Sequence, residues 1–114
     1  MAFKFNDYKF KVDADFKDYE FTQMEFLKNK TIVIEFVKFY EETEEDKTRT
    51  ACRFAYKLDG EDKIRFSYTK SYGIVSVLMN IIEEEGVIPK VPVMITTTMT
   101  KSGNMGYTFV DIEE

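Results

Sequence analysis

Two runs of alternating residues meet at Asp59-Gly60, and this period-two pattern constrains the chain more than any other feature in it. In the first run Cys52, Phe54, Tyr56 and Leu58 share one parity, while Arg49, Ala51, Arg53, Ala55 and Lys57 share the other. Successive side chains of a strand point to opposite faces, so this run has an apolar side and a basic side. Ile64, Phe66 and Tyr68 are expected to continue the apolar side in the second run, with Lys63, Arg65, Ser67 and Thr69 on the polar one. Asp-Gly between two such runs signals a hairpin, because glycine accepts positive φ without steric cost. The expected product has an oily underside and a basic upper face that holds all three arginines of the chain.

The segments around the hairpin read as further strands and one helix. TIVIEFVKFY, from Thr31 to Tyr40, is rich in β-branched and aromatic residues. Ile32, Ile34 and Phe36 fall on one face, and Val33, Glu35, Val37 and Phe39 on the other, which suits a strand covered on both sides. Between Ser71 and Gly86, Ile74, Val77, Leu78, Ile81 and Ile82 form a helical stripe, with Ser71 as N-cap and Gly86 closing the C-terminus. Glu83, Glu84 and Glu85 then stand at the negative end of the helix dipole, an unfavourable placement. Pro89 and Pro92 bracket the entry to a strand over Val93 to Thr100, and Lys101-Ser-Gly-Asn104 turns into a last strand, Tyr107 to Ile112. Residues 1–28 read as an N-terminal extension: Phe3-Lys-Phe and Tyr8 to Asp13 alternate like short strands, and Phe16 to Leu27 show a mixed period. Residues 29–114 form the main domain.

Composition excludes several function classes. With 114 residues the chain is sized for one core. One cysteine precludes an internal disulfide and a cysteine-based zinc site. Histidine is absent, which removes the commonest general base, and Cys52 lies on an apolar strand face without such a partner. The glycines match neither a P-loop nor a dinucleotide fingerprint, so no enzyme activity and no cofactor are expected. The longest uncharged stretch, Ser71 to Ile82, is too short to span a bilayer, and a cytoplasmic location is expected. The net charge of −5 opposes a polyanion on average. The acids, however, gather in Glu41 to Asp46, Asp59 to Asp62 and Glu83 to Glu85, leaving Arg49 to Arg65 locally basic.

Three strands, a helix and two more strands is an order that resembles the OB-fold, a small Greek-key barrel that binds oligonucleotides or oligosaccharides. The texture also resembles small phage-type single-stranded DNA-binding proteins: a long first strand (TIVIEFVKFY), a basic hairpin ending in FSYTKS, a helix, a Pro-flanked VPVMITTT strand and a closing aromatic strand, GYTFVDI. The likeness covers roughly residues 28 to 112 and is one of pattern. It implies a mainly β, five-stranded barrel with the helix between strands 3 and 4. The implied function is non-sequence-specific binding of single-stranded DNA, protecting it in replication or recombination.

Single-strand binding needs cations along the phosphate path and exposed rings for bases, each stack contributing about 1–3 kcal/mol. Arg49, Arg53, Lys57, Lys63 and Arg65 are the candidate cations, and Phe39, Tyr107 and Phe109 the candidate platforms, with Tyr40 and Tyr72 behind them. The plainer readings are a solvated sheet face for the cations and core packing for the rings. A rival function is an acidic protein-interaction module or phage accessory factor, in which the hairpin cations pair internally with carboxylates. Another is an assembly subunit that joins neighbours through the Phe-rich first 28 residues. Edge strands make a homo-oligomer the expected state.

Overall fold

The strand-favouring segments pair into one mixed sheet in a computed structural model that describes residues 15–112. Its elements are β1 (Glu20–Phe21), α1 (Met24–Leu27), β2 (Thr31–Glu44), β3 (Lys47–Leu58), β4 (Ile64–Thr69), α2 (Tyr72–Glu85), β5 (Pro92–Met99) and β6 (Met105–Asp111). The strand order across the sheet is β1-β4-β3-β2-β5-β6, with only the β1–β4 pair parallel. The expected succession from Thr31 onward is therefore present. The expected short strands at Phe3-Lys-Phe and Tyr8 to Asp13 lie outside the described residues.

The expected five-stranded barrel is not what forms. The sheet has six strands and, among the described residues, does not close by strand pairing. β4 and β6 meet instead through Ser71, whose hydroxyl accepts the Tyr107 N–H (3.1 Å) and donates to the Tyr107 carbonyl (3.3 Å). Gly73 lies against the same carbonyl so closely that a Cβ there would collide with its oxygen. The helix start thus occupies the place where a closing strand pair would run. Ser71 consequently makes no side-chain cap to α2, while Gly86 does close it in the left-handed region (φ 79°), its N–H donating to Ile82.

Two register features decide which side chains meet. A bulge between Ile34 and Phe36 shifts β2 by one residue against β3. Before it, Ile32 and Ile34 face the helix; after it, Val37 and Phe39 do, and Phe36, Lys38 and Tyr40 turn to the outer face. Lys57 pairs with Ile64 and Arg53 with Tyr68, so an odd position in β3 stands beside an even one in β4. Ile64, Phe66 and Tyr68 therefore share the face of Arg53, and Arg65, Ser67 and Thr69 share that of Tyr56, the reverse of the expected sorting. The Asp-Gly turn already implied this, because a two-residue reversal also pairs an even position with an odd one.

Each inverted residue has a partner that makes the inversion stable. On the helix face, the buried Ser67 hydroxyl donates to the Thr22 carbonyl (2.7 Å), and Thr22 Oγ1 lies 2.5 Å from the Tyr56 hydroxyl. On the outer face, Phe16 covers Phe36 and Phe66, with ring centroids 5.1 Å from each. The main core lies between α2 and the sheet, where Phe54, Tyr56, Ile74, Leu78 and Ile95 are fully buried, each side chain contributing about 1.5–3 kcal/mol. Val77 departs from the expected stripe and is exposed, Val75 being buried in its stead. No helix in the described residues is long and apolar enough to cross a membrane.

Candidate nucleic-acid interface

The register lays side chains across the outer face in rows. Phe36, Ala55 and Phe66 make one row, the patch covered by Phe16. Lys38, Arg53 and Tyr68 make the next, followed by Tyr40 with Ala51 and Glu42 with Arg49. Ala51 takes little volume beside Tyr40, and the Arg53 guanidinium spans the gap, 4.8 Å from the Tyr40 ring centroid and 5.9 Å from that of Tyr68. A cation over an aromatic face is held by the ring quadrupole and leaves its N–H donors available for an anion.

Charge around this group is partly balanced. Glu42 accepts the Tyr68 hydroxyl (2.5 Å) and pairs with Lys70 (3.0 Å), and those two contacts, Tyr68 first, hold its carboxyl below the usual range. Burial, helped by the same carboxylate, pushes the Tyr68 phenol up to about 12. Lys38 pairs with Asp15. Arg49 is exposed and joins no ion pair among the described residues. Five cations (Lys38, Lys47, Arg49, Arg53 and Lys70) thus surround two tyrosines, in the company of Asp15, Glu42 and Glu45.

From this face a furrow continues around the end of the sheet. Arg49 and Lys70 border two adjoining clefts of about 480 and 470 Å3, the first toward Lys47 and Glu45 and the second toward Tyr72. Tyr72 is 84% exposed and opens onto a third hollow of about 550 Å3, whose walls carry Ser71, Thr98, Thr100, Ser102 and Thr108. Rings, cations and hydroxyls therefore succeed one another along one continuous path.

The candidate residues named from sequence divide between this path and other surroundings. Arg49 and Arg53 lie on it. Lys57 shares the outer face but bridges Glu35 (3.5 Å), which Lys90 also holds (3.0 Å), and these lysines, Lys90 first, keep the Glu35 carboxyl below its ordinary value. Lys63 and Arg65 are displaced by the register to the flank of β1. There Lys63 pairs with Glu20, lowering that carboxyl, and Arg65 pairs with Glu61 (2.8 Å) and lies over Phe26. Phe39, Tyr107 and Phe109 all pack half-buried against the main core, not outward as platforms. For Phe39 the cause is the bulge; for the β6 rings it is α2, which covers that face and leaves Val110 and Ile112 exposed. Tyr68, Lys38 and Lys70 were missed, although the parity of an Asp-Gly reversal already puts Tyr68 on the face of Arg53.

Comparison with protein-family models, curated proteins and solved structures finds no match to this chain.

Proposed function

We propose that the outer face of β2, β3 and β4 binds single-stranded nucleic acid, DNA foremost, without strong sequence preference. The observation that carries the reading is Arg53 held between Tyr40 and Tyr68 on an outward row of the sheet. Phosphates would contact Arg53, Arg49 and Lys47, while bases stack past the sheet end on the exposed Tyr72. Backbone charge and π-faces are common to every nucleotide, so such a surface tolerates any sequence. The strand order supports the same reading, since β4-β3-β2-β5-β6 is the order of an OB-type Greek-key barrel opened between its third and last strands. Shielding single strands in replication or recombination is the role that fits.

Fluorescence anisotropy with labelled dT oligomers tests this. Saturable binding of the wild type, weakened at least tenfold by Arg53→Glu, is expected; a flat titration at low salt would remove the proposal. A second reading, an acidic protein-interaction module, is favoured by one observation: Lys57, Lys63 and Arg65 are all engaged by carboxylates. It predicts no oligonucleotide binding at any salt concentration.

A further inference from the structure

At the other end of α2, three features coincide that the nucleic-acid reading leaves unused. The first is an apolar groove of about 150 Å3 between the exposed Val77 and the half-buried Ile81 of α2, Val91 of the following loop, and Phe109 of β6. Its lining opens to solvent at Val91, 60% exposed, and at Val77, 38% exposed. Isolated exposed valines are ordinary, but two on the walls of one apolar groove mark a contact site.

The second feature is an unpaired strand edge. The N–H and C=O of Tyr107 both bond Ser71, so they point away from β5. Phe109 and Asp111, two and four residues on, present theirs to the same side. No described strand takes them up, and the groove is lined by these same two residues. β6 carries no proline and no lysine, the usual guards of an edge.

The third feature is charge. Glu84 and Glu85 continue the helical face of Val77 and Ile81 toward the C-terminal end of α2, and Asp111 stands on the opposite wall. The last turn of α2 holds no basic residue, so these acids add to the negative pole of the helix dipole. Lys90 is the nearby cation, and it is bound to Glu35. An arrangement that costs stability in the free chain is relieved by a cationic ligand.

We propose that this groove receives an extended segment of another protein in which apolar and basic residues alternate. The segment adds a strand to β6 at Phe109 and Asp111, seats its apolar side chains against Val77, Ile81 and Val91, and sets its lysines or arginines against Glu84, Glu85 and Asp111. Main-chain pairing supplies affinity, and the alternation supplies specificity. The surface is separate from the Arg53 face, so the two proposals stand or fall independently.

The test titrates the full chain with the synthetic peptide acetyl-Lys-Val-Lys-Val-Lys-Val-Lys-amide and with a charge-matched peptide bearing serine for valine. Saturable binding of the valine peptide is expected, with amide shifts centred on Phe109 and Asp111. The serine peptide should bind at least about tenfold more weakly, since it lacks the apolar contacts. Val91→Asp, at an exposed site, and the pair Glu84→Lys with Glu85→Lys should each weaken binding by about tenfold as well. Equal binding of the two peptides, shifts confined to the acidic Glu41 to Asp46 segment at the end of β2, or no saturation would each overturn the proposal.

Discussion

The Ser71 hydroxyl stands to Tyr107 as a strand neighbour would, accepting its N–H at 3.1 Å and donating to its carbonyl at 3.3 Å. This single residue joins the end of β4 to β6, and Gly73 lets the helix approach that same carbonyl. Replacing Gly73 by alanine sets two effects against each other: a helix-propensity gain of about 1 kcal/mol and a collision with backbone that cannot rotate away. Overpacking of this kind costs about 1–3 kcal/mol, so Gly73→Ala should lower the thermal midpoint. Scanning calorimetry reads the sign directly.

Thr22 ties the segment before β2 to the hairpin. Its hydroxyl lies between those of Tyr56 (2.5 Å) and Ser67 (2.9 Å), all three residues being buried. Thr22→Val keeps the shape and leaves Tyr56 without this hydroxyl partner. Losing a buried hydroxyl partner costs about 1–3 kcal/mol, so the variant should lose about that much unfolding free energy, read as a lower urea midpoint. Tyr56→Phe in the Thr22→Val background should recover part of the loss, because no phenol is then left unsatisfied.

Cys52 is fully buried, and burial pushes its thiol up to about 12. The thiolate is the reactive species, so a disulfide reagent at neutral pH should modify Cys52 only as fast as the protein opens. Labelling should then slow in step with any stabilising change. Rapid stoichiometric labelling of the native protein would contradict the core assignment.

Stability should fall at both ends of the pH scale, for separate reasons. Glu35 and Glu42 have carboxyls held below the ordinary 4.5, so their ion pairs contribute fully above that value and are lost as pH falls below it. Tyr68 has a phenol raised from 10.0 to about 12, so its contribution is complete below 10.0 and is lost as pH climbs toward 12. Urea unfolding across pH should show a plateau between these limits. Glu35→Gln should make the acid limb shallower, and Tyr68→Phe the alkaline one.

Much of this architecture was legible in the sequence, and what was not has local causes. The helix, expected from Ser71 to Gly86, spans Tyr72–Glu85, and the element order follows from period and turn residues alone. Inheritance of face from strand to strand was not legible. One extra residue at the β2 bulge reverses Phe39 and Tyr40, and the odd-to-even pairing across Asp59-Gly60 reverses Arg65 and Tyr68. The sixth strand and the Phe16 cover arise from the mixed-period segment before Thr31, whose pattern carries little signal. For the candidate site the consequence is sharp: Arg49 and Arg53 keep their expected face, while their aromatic companions become Tyr40 and Tyr68.

The central claim is that Arg53 meets a phosphate, and the salt dependence of oligonucleotide binding tests it most directly. The slope of log K against log salt should be about 0.7 shallower for Arg53→Gln than for the wild type, alongside weaker binding at low salt. Identical slopes and affinities for the two proteins would contradict the account.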